Sequence, residues 1–264
     1  MPPRLIATDL DGTLLRSDGT LSARTIAALA LVENAGATLV MVTGRPPRWM
    51  RPIAELADHR GLAICANGAV LYDLHTEQIV RSRLISAELI AEVVAALREV
   101  EPDFRFAVEH GTGFVFEASF NLGSWDAESL GGRSVDHETL IGLPGTKLLA
   151  LHPHTGPDTL MAQAVKILGD AVTVTHSSKS GLLEISAPGV TKASALAELC
   201  ADLGVTAQEV VAFGDMPNDL PMLLWAGRSY GMANAHPDVL ATVTDHAAAN
   251  NDDGVARALE ALFV

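Results

Sequence analysis

Leu5-Ile6-Ala7-Thr8-Asp9-Leu10-Asp11-Gly12-Thr13-Leu14-Leu15 is the stretch from which the rest of the chain is read. Apolar residues running into a glycine describe a buried strand that stops at Leu10 or Asp11. On an extended backbone Asp9 and Asp11 point the same way. Two like charges held close in a partly buried place repel, so something must offset them. An acidic turn satisfies this pattern, and so does a magnesium site with a nucleophilic carboxylate. An EF-hand loop does not, because Gly12 comes too early and the twelfth position is Thr20 rather than Glu.

Outward from this stretch the chain reads as alternating strands and helices. Ser22 is a good N-cap for a helix over Ala23–Asn34 that Gly36 can close. Residues 13–21 suggest a small hairpin turning at Ser17-Asp18-Gly19. Thr38–Val42 is a second buried strand running into Thr43-Gly44-Arg45-Pro46. A helix from Pro47 to His59, with Trp49, Ile53 and Leu56 on one face, precedes a third strand, Leu62–Cys65. This rhythm is that of a parallel sheet with helical crossovers. It breaks at a hairpin, 69–73 with 78–81. From Leu84 the order becomes a helix (Ala87–Val100), two alternating strands (104–109, 114–118) and a poorly periodic stretch, 119–144. A strand (147–152), a helix (158–168) and two strands (171–176, 182–186) complete the segment, which predicts an antiparallel sheet with helices on one face. The crossover rhythm returns at Thr191, with strands at 209–213 and 229–232 and helices at 220–225, 237–243 and 254–262.

The expected fold is therefore α/β: a Rossmann-like parallel-sheet core formed by residues 1–83 and 188–264, interrupted by an α+β insert over 84–187. With 264 residues, 48% hydrophobic and 19% charged, the composition is that of an ordinary globular protein, with a mean hydropathy of +0.25. Apolar runs such as Ile26–Val32 are far too short to span a membrane, and Met1-Pro2-Pro3-Arg4 lacks the apolar core of a signal peptide. The net charge of −14 argues against nucleic acid, and it makes any anion site local and cation-assisted. Cys65 and Cys200 have no metal-ligand spacing and read as free core thiols, consistent with a reducing cytoplasm. His152-Pro153-His154 has no third ligand nearby and reads as a loop. There is no Gly-Lys dipeptide, hence no Walker A loop, and Gly111-Thr-Gly113 does not support a dinucleotide site.

In an open parallel sheet, ligands bind beyond the carboxyl ends of the strands. Three strands end there in polar residues: Asp9 and Asp11, then Thr43-Gly44, then Gly214-Asp215-Met216-Pro217-Asn218-Asp219. Asp9, Asp11 and Asp215 form an oxygen-rich set suited to Mg2+. Lys192 falls in the first turn of a helix that Thr191 caps, where a cation opposes the helix dipole. A tolerated surface lysine is one reading. The other is that Lys192 and the helix N-terminus hold an anion, with Thr43 as a further donor.

These four segments, in this order, resemble the motifs of the haloacid dehalogenase (HAD) superfamily. Asp9-Leu-Asp-Gly-Thr is similar to its first motif, Thr43 to its second, Lys192 to its third and Gly214–Asp219 to its fourth. Ala66-Asn67-Gly68-Ala69, Ala233-Asn234-Ala235 and Asn251-Asp-Asp-Gly-Val255, with an insert between motifs two and three, resemble the Cof-type phosphatases carrying a type IIB cap. Ala193, where relatives often have Gly, is a small departure. The resemblance implies a magnesium-dependent phosphomonoesterase acting through an aspartyl-phosphate. Asp9 would be the nucleophile and Asp11 the acid and base. The metal would be held by Asp9, the Asp11 backbone carbonyl and Asp215, with Asp219 in support. Thr43, Gly44, Lys192 and Asn218 would bind the phosphoryl group.

The expected substrate is a small phosphorylated metabolite. Sugar phosphates lead, with pyridoxal phosphate and flavin mononucleotide behind, and loops within 119–144 would set selectivity. A phosphomutase of the same superfamily is the alternative. A receiver-like signalling module is disfavoured, because such modules are about half this length and place their extra acids before the phospho-acceptor. No nucleic-acid or membrane partner is expected, and the protein is expected to be a cytoplasmic monomer or homodimer.

Overall fold

The computed structural model describes residues 3–56, 61–111, 113–120, 131–178 and 180–263. In chain order the elements are β1 (Leu5–Thr8), α1 (Ala23–Asn34), β2 (Thr38–Val42), α2 (Arg51–Leu56), β3 (Leu62–Cys65), β4 (Val70–Asp73), β5 (Gln78–Ser82), α3 (Ala87–Val100), β6 (Arg105–His110), β7 (Gly113–Glu117) and β8 (Gly132–Val135). They continue as α4 (His137–Ile141), β9 (Lys147–Leu151), α5 (Pro157–Leu168), β10 (Thr173–Thr175), β11 (Leu182–Ser186), α6 (Lys192–Leu203), β12 (Val210–Gly214), α7 (Leu220–Trp225), β13 (Arg228–Met232), α8 (Pro237–Thr242), β14 (Asp245–Ala247) and α9 (Gly254–Phe263). The chain divides into two compact units. One comprises Met1–Arg45, Trp49–Arg81 and Thr191–Val264, and the other Pro46–Arg48 and Ser82–Val190.

The first unit is built on an eight-stranded sheet in the order β14-β13-β12-β1-β2-β3-β4-β5. From β14 to β3 neighbouring strands run parallel, and β4 turns back antiparallel to β3. β1 is wholly buried, with Leu5 opposite Val210 of β12 on one side and Thr38 of β2 on the other. Its two neighbours continue in opposite directions along the sheet, so β1 stands at the switch point where such sheets form a crevice. Leu5, Ala7, Val40, Val42 and Ile64 pack with Leu196, Leu199 and Cys200 of α6 and with Met222, Leu223 and Val239 from α7 and α8. Helix starts follow from their caps. Ser22 Oγ accepts the Thr25 N–H at 3.0 Å to begin α1. Thr191 and Ser194 cap each other reciprocally, both at 3.0 Å, to begin α6. Cys65 and Cys200 are free and buried, and burial pushes the Cys200 thiol up to about 11.

The second unit has a six-stranded sheet in the order β10-β11-β9-β6-β7-β8. Its pairs are antiparallel, as the sequence predicts, except that β8 lies parallel to β7. Ile90, Val93, Val94 and Leu97 of α3, with Leu160 and Ala164 of α5, are buried. The Arg48 guanidinium grips Glu109 and lies 5.0 Å over the Phe114 ring, and Lys147 Nζ sits 3.0 Å from Glu184.

Several expectations are corrected. Residues 13–21 form no hairpin strands; a single bridge joins Asp11 to Leu15, and the Gly19 N–H closes a turn on the Arg16 carbonyl. The helix expected over 47–59 opens as a 3-10 turn, Pro47–Trp49, followed by α2, and its last residues lie outside the described ones. Leu56 is exposed rather than part of a buried face. Within 119–144, β8 and α4 were not legible, and 121–130 lies outside the described residues. Among the described residues no helix is long and apolar enough to cross a membrane.

Candidate active site

Asp9 follows β1 directly, Thr43 follows β2, and Asp215 follows β12, so three adjacent strands deliver their next residues to one edge of the sheet. Asp9 is fixed by its N–H, which donates to the Phe213 carbonyl at 3.0 Å. Asp9, Asp215 and Asp219 are all buried, and each offers an oxygen within 4.8 Å of the others. Lys192 is 1% exposed, and its Nζ donates to Asp9 Oδ1 at 2.7 Å and to Asp219 Oδ1 at 2.6 Å. The surface-lysine reading is therefore excluded.

The loop after β12 is organised by Asp219. Its Oδ2 accepts the N–H groups of Asp215 and Met216, both at 3.0 Å, so both of its oxygens are already engaged by the protein. Asp215 in turn accepts from the Thr13 hydroxyl at 2.9 Å, and its backbone carbonyl accepts the His236 N–H at 2.8 Å. Gly12 has φ +79°, and a Cβ there would stand 2.3 Å from Asp215 Oδ2. A side chain at Gly12 would thus collide with the acidic cluster, besides being strained in the left-handed region.

Three carboxylates against one ammonium leave two negative charges in a buried space. Burial, then the Asp219 carboxylate, works against the charged form of Asp215 and pushes it up to about 7. Burial raises Asp9 as well, with Lys192 opposing it and Asp219 and Asp215 adding to it. Burial alone would lower Lys192, but Asp219 and Asp9 outweigh it and hold the ammonium above its ordinary value. A hard divalent cation would cancel the excess charge, and an all-oxygen donor set suits magnesium. The residues present therefore fit the ion.

Asp11 behaves differently. Its side chain is 60% exposed, and both oxygens are taken by Arg45, with Nε to Oδ2 at 2.7 Å and Nη2 to Oδ1 at 2.5 Å. The structure thus brings together Asp9, Asp215, Asp219 and Lys192, and keeps the Asp11 carboxylate outside that cluster. Thr43 is fully buried. Its Oγ1 accepts the Arg45 N–H at 3.0 Å across Gly44, and its carbonyl accepts the Asn67 N–H at 3.0 Å. Asn218 donates from Nδ2 to Asn67 Oδ1 at 3.0 Å.

Sequence reasoning passed over Thr13, Arg45 and the partner role of Asn67. Arg45 is adjacent to Thr43-Gly44, and a cation beside an acid-rich edge was a usable signal. Thr13 lies inside the opening stretch. Asn234, which donates from Nδ2 to the Gly12 carbonyl at 2.8 Å, pairs across 222 positions, a separation no local pattern reveals.

The family model describing haloacid dehalogenase-like hydrolases matches residues 6–259. The chain is 30% identical over 259 residues to the 5-amino-6-(5-phospho-D-ribitylamino)uracil phosphatase of Bacillus subtilis, covering 97% of this chain and 94% of that one. It is 28% identical over 270 residues to the pyridoxal phosphate phosphatase of Escherichia coli, covering 97% of each. Its fold superposes, with a TM-score of 0.85 and 20% identity, on a solved structure described as a HAD subclass IIB sugar phosphatase, over 99% of this chain and 100% of the other.

Proposed function

This chain belongs to the haloacid dehalogenase-like hydrolases, and we propose that within them it is a magnesium-dependent phosphomonoesterase of small metabolites that works through an aspartyl-phosphate on Asp9. The observation that carries this is the pair of hydrogen bonds that Lys192 Nζ donates to Asp9 and Asp219, which buries a cation against the residue assigned to attack phosphorus. Asp9 and Asp215, with the Asp11 backbone carbonyl, would hold magnesium, and Asp219 would support them by fixing the loop and Lys192. When bound, the ion supplies charge neutralisation for a phosphoryl group approaching these carboxylates.

In the first step an Asp9 oxygen forms a bond to phosphorus, the bond from phosphorus to the ester oxygen breaks, and Asp11 gives that oxygen a proton. In the second step Asp11 takes a proton from water as the water oxygen bonds to phosphorus. The bond to Asp9 then breaks, releasing inorganic phosphate and restoring the carboxylate. Arg45 occupies both Asp11 oxygens, so each proton transfer requires that pair to open. Lys192, Thr43, the Gly44 backbone and Asn218 are assigned to the phosphoryl oxygens, where fixed charges and donors contribute most to phosphoryl transfer.

The second unit, over roughly residues 84–187, is assigned as the type IIB cap that sets selectivity, with residues 119–144 as the leading segment. Sugar phosphates are the leading substrate class. The ribityl phosphate named for the Bacillus subtilis relative supports this, and the Escherichia coli relative keeps pyridoxal phosphate next. Two reduced core thiols suit a cytoplasmic location. The test is a panel of sugar phosphates, pyridoxal phosphate, flavin mononucleotide and p-nitrophenyl phosphate, assayed with magnesium and after chelation. Phosphate release that depends on magnesium and is fastest with a sugar phosphate is expected. Turnover that survives exhaustive chelation would remove the metal, and preference for another ester would move the substrate class.

A further inference from the structure

We propose that Asn67 is a positioning residue that fixes the orientation of the Asn218 amide. The short turn Ala66–Gly68 would thereby align three of the groups assigned to the phosphoryl oxygens. The inference rests on the assignment of Asn218 made above and adds the residue that sets its direction.

Asn67 is buried at 2% exposure and adopts a left-handed backbone, φ 56° and ψ 28°, which asparagine tolerates better than most residues. In that conformation it reaches two of the three groups at once. Its N–H donates to the Thr43 carbonyl at 3.0 Å, beside the Ala66 N–H, which donates to the Arg45 carbonyl at 2.9 Å. Its side-chain Oδ1 accepts from Asn218 Nδ2 at 3.0 Å, between two side chains that are both buried. The third contact comes from Gly68. At φ +107°, a Cβ there would stand 2.2 Å from the carbonyl oxygen of Thr191, the residue that caps α6 immediately before Lys192. The backbone of this turn therefore lies directly against the start of the helix that carries Lys192.

The chemistry of the amide gives the contact its consequence. An asparagine amide has a donor end with two N–H bonds and an acceptor end with none. Rotated by half a turn, Asn218 would present its oxygen where the nitrogen stands, and a phosphoryl oxygen would meet a like partner. Asn67 Oδ1 can accept only from the nitrogen end, so it selects one orientation. It uses one N–H and leaves the second directed by the plane of the amide. The Asn218 Oδ1 is buried with no hydrogen-bond partner among the described residues. The Asn67 bond therefore holds the donor end in place even though the acceptor end goes unpaired.

The test is a double-mutant cycle on magnesium-loaded protein with p-nitrophenyl phosphate, reading kcat and KM for wild type, Asn67→Gly, Asn218→Ala and the pair. Glycine keeps the left-handed backbone and removes the side chain that carries the acceptor. Asn67→Gly is expected to lower kcat/KM about tenfold or more in the wild-type background and less than about twofold once Asn218 is alanine, the signature of one residue acting through another. Equal losses in both backgrounds, or none in either, would overturn the proposal. Asn67→Asp covers the case in which the glycine variant fails to fold. It retains an acceptor facing Asn218, so its kcat stays within about threefold of wild type while its charge raises KM. A collapse of kcat in Asn67→Asp also overturns the proposal. Wild-type kinetics in Asn218→Ala would instead remove the assignment on which the inference rests, and the inference with it.

Discussion

Lys192 occupies the first turn of α6, where a cation gains nothing from the helix dipole, yet it is fully buried between Asp9 and Asp219. From position alone, its removal would leave the fold intact or slightly more stable. The two carboxylates reverse that sign, because taking away one partner of a buried pair costs about 3–5 kcal/mol. Lys192→Met is therefore expected to lower the urea midpoint and to cut turnover by about 100-fold or more, the scale of losing one donor to a transition-state charge. An unchanged midpoint would show that the contacts with Asp9 and Asp219 are not formed in solution. Asp11 illustrates what a sequence conceals at this scale. An extended strand reaching Leu10 or Asp11 would point Asp9 and Asp11 the same way, but β1 ends at Thr8, and Arg45, 34 positions on, holds the second carboxylate in an exposed pair.

At the scale of elements, helix starts were legible because caps are local: Ser22 and Thr191 sit where their side-chain bonds are made. Ser22→Ala is expected to cost about 1 kcal/mol. It should lower Tm by about 2–4 °C, the scale for a chain of this size, and leave kcat unchanged, since the residue touches nothing in the site. A kinetic effect without a melting effect would contradict that separation. Gly12→Ala is the opposite case. The strained backbone and the clash with Asp215 are expected to abolish most activity, with loss of stability on the same melt. Near-normal turnover in Gly12→Ala would show that the loop has room that the 2.3 Å approach denies. β8 and β14 escaped sequence reading for physical reasons. Gly-Arg-Ser-Val and Asp-His-Ala carry no apolar run, and both strands lie at sheet edges, where the ladder on one neighbour supplies the order.

For the whole molecule, the change in the period of the pattern near residue 84 and back near 190, on which the expected core and insert rest, was readable in the sequence. The long-range pairs that shape the site, Asn234 with Gly12 and Asn218 with Asn67, were not, since nothing local encodes them. Magnesium is expected to raise Tm, because an ion that binds the folded cluster stabilises it by about 2.7 kcal/mol at a hundredfold excess over its Kd. Asp215→Ala should lose most of that rise, and an equal rise in the variant would place the ion elsewhere.

The covalent role of Asp9 is tested most directly by rapid mixing with p-nitrophenyl phosphate, whose leaving group needs little protonation. Asp11→Asn should phosphorylate Asp9 but hydrolyse the intermediate slowly, releasing about one equivalent of nitrophenol per site and then nearly stopping. Asp9→Asn should show no burst. A stoichiometric burst from Asp9→Asn, or a trapped phosphoryl group mapped to Asp11, would contradict the account.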